Sequence, residues 1–189
     1  MGIGSLTRPA VFLDRDGVLN EAEVRDGKPY PPASAADVRI LPDAPASLAR
    51  LKAAGLPLIV VTNQPDVGRG TQSLEAVQAI NRRLLLDLPL DDFLTCTHDD
   101  RDRCACRKPL PGLILEGAAR HAADPCRSFM IGDRWRDIDA GRAAGCRTVW
   151  IDRGYRERGP SEPPDARVRS LAEAVTWILS QLDSEPNAT

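Results

Sequence analysis

Short apolar runs that alternate with helix-like segments constrain the fold of this chain more than any other feature. The runs lie at 10–13, 56–61, 92–95, 128–131 and 148–151. Continuous apolar runs of this length are typical of strands that are buried on both faces of a sheet. Because strands that alternate with helices form parallel sheets, the sequence predicts an α/β fold with a Rossmann-like parallel sheet flanked by helices.

The segments between the runs carry helix signals. Helices are expected at 43–54, 73–87, 111–123, 137–144 and 170–182. A short strand is expected at 38–41, a loop or short flap at 20–32 and a surface loop at 153–165. With 189 residues the chain is expected to form a single domain, 1–189, with a core over about 8–182 and a disordered tail over 183–189.

Composition excludes several classes of function. The formal charge is −2 and provides no bulk attraction to nucleic acid or to anionic membranes. The chain has only two histidines, which limits histidine-based catalysis. No apolar stretch approaches the ~20 residues that span a bilayer. We therefore expect a cytoplasmic monomer with reduced thiols and with neither nucleic-acid nor membrane partners.

Polar signatures directly follow three of the predicted strands. They are Asp-Arg-Asp-Gly at 14–17, Thr-Asn-Gln at 62–64 and Gly-Asp-Arg-Trp-Arg-Asp at 132–137. A fourth signature, Arg-Lys-Pro at 107–109, precedes a predicted helix. Each one alone could be an ordinary turn or helix cap. Together they favour one shared site, because ligands bind outside the carboxyl ends of parallel strands.

The residue types in these signatures fit phosphoryl transfer to a carboxylate. Asp14 is the candidate nucleophile that attacks phosphorus. Asp16 is the candidate acid/base, which protonates the leaving oxygen and then deprotonates the hydrolytic water. Lys108 and the Thr62 hydroxyl are candidate donors to the non-bridging phosphate oxygens.

A carboxylate that approaches a phosphate group meets charge repulsion, which Mg²⁺ bound to oxygen ligands would reduce. The candidate Mg²⁺ ligands are Asp14, the backbone carbonyl of Asp16, and Asp133. Asp137 follows Asp133 at the spacing of one helical turn and is expected to support the site from outside the ligand set.

Four further residues are candidate substrate contacts. Asn63 and Gln64 follow Thr62, and Arg107 precedes Lys108, where a guanidinium group could grip two oxygens at once. Arg69 could reach a distal phosphate or a sugar hydroxyl, or it could be a solvated loop arginine.

Three cysteines and one histidine lie within eleven residues, as Cys96, His98, Cys104 and Cys106. Three thiolates and one imidazole form a closed tetrahedral zinc set with no position left for water. The alternatives are isolated buried cysteines or a redox pair, although the Cys-Ala-Cys spacing differs from the Cys-x-x-Cys redox motif. The sequence therefore predicts structural Zn²⁺ in a loop that leads into Arg107 and Lys108.

The motifs resemble those of the haloacid dehalogenase superfamily, in its branch of histidinol phosphatases and heptose bisphosphatases. The matching segments are 11–20, 61–64 and 106–109, and the Gly132-Asp133 pair followed by Asp137. The resemblance implies a Rossmann-like core, Mg²⁺ and an aspartyl-phosphate intermediate. The intervals between the motifs are filled by predicted core elements, so an enzyme without an inserted cap domain is expected.

The same resemblance implies a small phosphorylated sugar as the substrate. Heptose bisphosphate is preferred to histidinol phosphate because the chain has no fused dehydratase. A different class, a zinc-stabilised binding module without catalysis, would lack one or more catalytic residues. The presence of Asp14, Asp16, Lys108 and Asp133 favours the enzyme.

Overall fold

A six-stranded parallel sheet forms the centre of the computed structural model, which describes residues 8–184. Its strands lie in the order β5-β4-β1-β6-β7-β8. The sheet strands are β1 (Val11–Leu13), β4 (Leu58–Asn63), β5 (Asp92–Cys96), β6 (Phe129–Gly132), β7 (Arg147–Ile151) and β8 (Ala166–Val168). The predicted Rossmann-like parallel sheet is confirmed.

Helices cover both faces of this sheet. They are α1 (Ala44–Ala53), α2 (Pro65–Gly68), α3 (Leu74–Asp87), α4 (Gly112–Arg120), α5 (Trp135–Ala144) and α6 (Leu171–Asp183). Side chains alternate along each strand, so Val11 and Leu13 pack in one core with α1, α3 and α6, whereas Phe12 packs in a second core with α4 and α5. None of the helices within residues 8–184 combines the length and the apolar character needed to cross a membrane.

The register of the central strands brings the polar signatures together. Leu13, the last residue of β1, pairs with Val60 of β4 and with Ile131 of β6. The backbone N–H of Asp14 then donates to the carbonyl of Ile131 at 2.9 Å. Because the three strands are parallel and end at the same edge, the residues that follow them lie side by side.

A two-stranded hairpin lies within the segment expected to be a loop or flap. Its strands are β2 (Glu23–Arg25) and β3 (Lys28–Tyr30), joined by Asp26 and Gly27, which both have positive φ. Two adjacent residues with positive φ are typical of the tight turns that join antiparallel strands. The carbonyl of Gly27 accepts from the backbone N–H of Arg156 at 2.8 Å, so the hairpin tip is bound to the loop after β7.

The structure differs from the sequence-based description at three places, one of which had no prediction. The segment 38–41 is not a strand, although Ile40 forms an isolated bridge with Asn20. The segment 166–168 is a strand, β8, at the edge of the sheet. It has only three residues and no buried apolar run, so it lacks the signal of a central strand. Helix α6 extends through Asp183, which the predicted tail included, and 185–189 lie outside the described residues.

Candidate active site

Three buried carboxylates meet at the edge of the sheet where β1 and β6 end. Asp14 follows β1, Asp133 follows β6 and Asp137 lies in the first turn of α5. One carboxylate oxygen from each lies within 4.8 Å of those of the other two. Asp137, which was expected to support the site from outside the ligand set, lies in this carboxylate cluster with Oδ1 2.6 Å from Lys108 Nζ. Its Oδ2 also accepts from the backbone N–H of Arg134 at 3.0 Å.

Lys108 links the carboxylate cluster to the strands behind it. Its side chain is almost fully buried, and its Nζ lies 2.8 Å from Asp14 Oδ1 and 2.6 Å from Asp137 Oδ1. Nζ also donates to the carbonyl of Val61, in β4, at 2.7 Å. Three acceptors therefore hold the ammonium group against the candidate nucleophile.

Burial and mutual repulsion shift the titration of these acids. Burial, together with the negative charge of Asp137, raises the pKa of Asp14 to about 6, although Lys108 opposes the shift. Burial and the charges of Asp14 and Asp137 raise the pKa of Asp133 well above its usual value. Burial alone would lower the pKa of Lys108, but Asp137 and Asp14 more than offset it, so that pKa is raised. Two of the three carboxylates contact the single ammonium group of Lys108 and Asp133 does not, so negative charge is in excess.

This excess of charge fits a divalent cation. Asp133 Oδ1 is buried and has no hydrogen-bond partner among the residues that the structure describes. Its other oxygen, Oδ2, accepts from the Tyr155 hydroxyl at 2.8 Å. A buried carboxylate oxygen without a donor is unfavourable, whereas it is a suitable ligand for Mg²⁺. The donor set of Asp14 and Asp133 is therefore compatible with Mg²⁺.

Residues of the signature after β4 line the active-site cavity and also form hydrogen bonds that hold other residues of the site. Thr62 and Asn63 line the same cavity as Asp14 and Lys108. The side-chain amide of Asn63 forms two hydrogen bonds with the backbone of Lys108. Its Nδ2 donates to the Lys108 carbonyl at 2.9 Å, and its Oδ1 accepts from the Lys108 N–H at 3.1 Å. Gln64 is only 1% exposed and donates to Thr62 Oγ1 at 2.9 Å. Gln64 is thus placed behind the site, away from the position expected of a substrate contact.

Asp16 lies outside the carboxylate cluster and accepts hydrogen bonds from a set of donors. Arg15 donates from Nη2 to Asp16 Oδ2 at 2.9 Å, and Asn20 donates from Nδ2 to Asp16 Oδ1 at 2.9 Å. Gln64 Nε2 donates to Asp16 Oδ2, also at 2.9 Å. The Asp16 side chain remains 15% exposed and lines the same cavity as Asp14, which is where a general acid must lie.

A cavity of about 310 Å³ opens above the carboxylates. One wall is formed by the β2–β3 hairpin, through the segment 28–31. Arg69 and Arg107, the predicted arginine contacts, both line it, but each also contacts an acidic residue. Arg69 Nη2 lies 2.9 Å from Asp99, and Arg107 Nε lies 2.8 Å from Asp100. The cavity is lined by both cations and acids, as suits a polar phosphorylated ligand.

The four predicted zinc ligands converge in the loop after β5. The sulfur atoms of Cys96, Cys104 and Cys106 lie 3.3–3.7 Å apart, and His98 Nδ1 lies 3.3 Å from Cys106 Sγ and 3.6 Å from Cys96 Sγ. Zn–S bonds of about 2.3 Å in a tetrahedron place sulfur atoms about 3.7 Å apart. The cluster therefore has the size and ligand types of a structural zinc site.

The loop that carries the cysteine–histidine cluster also packs against the element that follows Lys108. A Cβ atom added to Gly112, at the start of α4, would lie 2.3 Å from the Ala105 carbonyl oxygen. The loop and the helix thus approach at a distance that only glycine allows. The loop therefore contacts α4 through Gly112 and leads directly, through Arg107, into Lys108.

Sequence reasoning missed two parts of the site. Tyr155 contacts Asp133 from the loop after β7, a segment rich in Gly and Pro that has no periodicity to mark it. Arg15 lies within the first signature, but its complete burial was not expected, because arginine side chains are almost never fully buried unless they are paired.

Comparisons with known proteins identify similar sequences and a similar structure. A family model described as HAD-hydrolase-like matches residues 105–174. A D-glycero-beta-D-manno-heptose-1,7-bisphosphate 7-phosphatase of Rhodopseudomonas palustris is 39% identical over 150 residues, which cover 73% of this chain and 80% of that protein. A D-glycero-alpha-D-manno-heptose-1,7-bisphosphate 7-phosphatase of Mycobacterium tuberculosis is 37% identical over 152 residues, which cover 75% of this chain and 78% of that protein.

A solved structure extends the similarity to most of the fold. The crystal structure of the D,D-heptose 1,7-bisphosphate phosphatase from B. bronchiseptica, complexed with magnesium and phosphate, superposes with a TM-score of 0.79 at 28% identity. The match covers 92% of this chain and 99% of that one.

Proposed function

Because the chain belongs to the haloacid dehalogenase-like phosphatases, in the family of the heptose 1,7-bisphosphate 7-phosphatases, we propose that it removes the 7-phosphate from a heptose 1,7-bisphosphate. The observation that carries the proposal is the buried carboxylate cluster beside Lys108, which faces a cavity of about 310 Å³. We further propose that residues 8–182 act as one domain, with the hairpin rather than an inserted cap domain bordering the cavity.

In the proposed reaction, Asp14 is the nucleophile. One of its carboxylate oxygens forms a bond to phosphorus as the bond from phosphorus to the sugar oxygen breaks. Asp16 donates a proton to the departing oxygen, so the sugar leaves as an alcohol. Asp16 then takes a proton from water as the water oxygen attacks the aspartyl phosphate, which releases inorganic phosphate and regenerates the Asp14 carboxylate.

The remaining residues of the site stabilise charge during both steps. Mg²⁺ held by Asp14, Asp133 and the Asp16 carbonyl would neutralise part of the repulsion between the carboxylate and the phosphate. Lys108 lies at hydrogen-bond distance from Asp14 and supplies a positive charge next to the transferred group. Asp137 holds that ammonium group in place through its contact with Nζ.

A comparison of substrates tests the proposal. We expect kcat/KM for heptose 1,7-bisphosphate to exceed that for fructose 1,6-bisphosphate and for histidinol phosphate by on the order of 100-fold, the discrimination that a few pocket contacts supply. Both anomers of the heptose are included, because the relatives named above differ in anomer. Equal kcat/KM values for all substrates, or a preference for histidinol phosphate, would contradict the assigned substrate.

The cysteine–histidine cluster is proposed to hold structural zinc that orders the loop before Lys108. Cys104→Ser is then expected to lose near-stoichiometric zinc and to lower the free energy of unfolding by on the order of 3 kcal/mol, because the folding energy of such a loop comes largely from its metal. Elemental analysis and thermal unfolding measure the two effects. Cys126→Ser is the matched control, since Cys126 is exposed and lies outside the cluster. Equal zinc content in the two variants would refute the zinc site.

A further inference from the structure

A fully buried arginine lies directly behind the candidate acid/base. Arg15 has no exposed surface, although it immediately follows the nucleophile in the chain. Its Nε lies 3.2 Å from each carboxylate oxygen of Asp16, and its Nη2 lies 2.9 Å from Oδ2. Taking a guanidinium group out of water is unfavourable unless charged and polar partners surround it. Its presence here calls for a role that an apolar residue could not fill.

The far side of the same guanidinium group is anchored to a helix. Arg15 Nη1 donates to Asn81 Oδ1, in α3, at 2.8 Å. Asn81 Nδ2 in turn donates to Thr95 Oγ1, in β5, at 3.0 Å. Asn81 is itself buried and does not line the active-site cavity. The chain of hydrogen bonds from Thr95 to Asp16 therefore leaves the guanidinium plane with a single orientation.

The Asp16 carboxyl must be held in one orientation, because proton transfer requires its oxygen to face the leaving oxygen of the substrate. Its two oxygens accept from Arg15, Asn20 and Gln64, while part of its side chain remains exposed at the cavity. A general acid acts only when the oxygen that carries the proton lies within hydrogen-bond distance of the leaving oxygen. A displacement of about 1 Å is enough to reduce a rate by on the order of 100-fold.

We propose that Arg15, anchored by Asn81, is a positioning residue that aims the Asp16 carboxyl at the leaving oxygen of the substrate. Arg15 does not reach the cavity and acts only through Asp16. This assignment rests on the proposed function, because it presumes that Asp16 transfers the proton. Arg15 and Asn81 are the additional side chains that make this proton transfer efficient.

The dependence of the rate on the leaving group separates positioning from a purely structural role. The test compares p-nitrophenyl phosphate, whose phenolate leaves without much protonation, with the sugar phosphate of highest kcat/KM. Arg15→Lys keeps the charge but loses the forked contact. We expect it to lower kcat/KM for the sugar phosphate by on the order of 100-fold and to leave that for p-nitrophenyl phosphate within about 3-fold of wild type.

Asp16→Asn provides the reference for this experiment. It is expected to show the same selective loss, and the double variant Arg15→Lys/Asp16→Asn is expected to lose little beyond Asp16→Asn alone, because both changes remove one function. Equal losses on the two substrates for Arg15→Lys, or additive losses in the double variant, would overturn the positioning role. A wild-type protein inactive on every ester would instead show that the proposed function itself is wrong.

Asn81→Leu is the second variant, in case Arg15→Lys does not fold. It removes the anchor without changing any residue that lines the cavity. The leaving-group selectivity is expected to change in the same direction as in Arg15→Lys. Gln78→Leu is the matched control, since Gln78 lies one turn earlier on α3 and is exposed. Circular dichroism verifies that both variants are folded, and a folded Asn81→Leu with wild-type selectivity would overturn the proposal.

Discussion

Asp14→Asn is expected to lower kcat/KM for the preferred phosphate ester by on the order of 10⁴-fold or more, because an amide cannot replace a carboxylate as the nucleophile. The two side chains have almost the same shape, so the fold is expected to persist. The amide oxygen of the replacement can still accept from Lys108 Nζ, as Asp14 Oδ1 does at 2.8 Å. Steady-state kinetics measures the loss, and circular dichroism verifies the fold.

A chemical readout distinguishes nucleophilic catalysis from a purely electrostatic role of Asp14. Acid quenching of the wild-type protein during turnover is expected to trap a species heavier by one phosphoryl group, and mass spectrometry is expected to locate it on Asp14. Asp87→Asn is the matched control, since Asp87 lies at the end of α3, partly exposed and paired with Arg83. Undiminished turnover in Asp14→Asn, or a phosphoryl group on another residue, would show that Asp14 is not the nucleophile.

Gly17→Ala is expected to weaken Mg²⁺ binding by at least about 100-fold, with a parallel loss of activity at limiting metal. A Cβ atom at this position would lie 1.8 Å from Asp133 Oδ2 and 3.0 Å from the Tyr155 hydroxyl. Both distances are shorter than van der Waals contact, so Asp133 would have to move out of the carboxylate cluster. Titration of activity with Mg²⁺ measures the change in metal affinity.

Gly55→Ala separates this collision from the effect of backbone conformation. Gly55 and Gly17 have φ of 77° and 81°, so alanine is strained at both positions. No heavy atom lies within 4 Å of a Cβ added at Gly55. Both variants are expected to lose about 1–2 kcal/mol of stability from the left-handed conformation. Only Gly17→Ala is expected to lose Mg²⁺ affinity, and equal affinity in the two variants would refute the close approach of Asp133.

The elements that the sequence predicted are those with a strong local signal. Strands β1, β4 and β6 are buried along almost their whole length, so their apolar runs stand out from the flanking polar residues. Helix α3 was predicted at 73–87 and lies at Leu74–Asp87, with Ser73 as the capping residue. Strand β8 and the β2–β3 hairpin were not predicted as strands, because their residues are exposed or only half-buried and form no buried apolar run, unlike the equally short β1.

The same distinction applies to the site. Asp14, Lys108, Asp133 and Asp137 lie in short motifs after strands or before a helix, and the structure brings these residues together. The roles of Asn63 and Gln64 could not be predicted in this way. Their amides are engaged by the backbone of Lys108 and by Asp16, which lie 45 and 48 residues away in the sequence.

The sequence by itself determined the chemistry of this protein. Parallel strands end at one edge, so the residue types that follow each strand specify which groups meet there. The tertiary structure alone decided how those groups are held. Asp16 is oriented by Arg15, which is anchored by Asn81 66 residues away, and Asp133 is contacted by Tyr155 22 residues away. Contacts between residues this far apart leave no periodicity or motif in the chain, because they arise only when separate elements pack together.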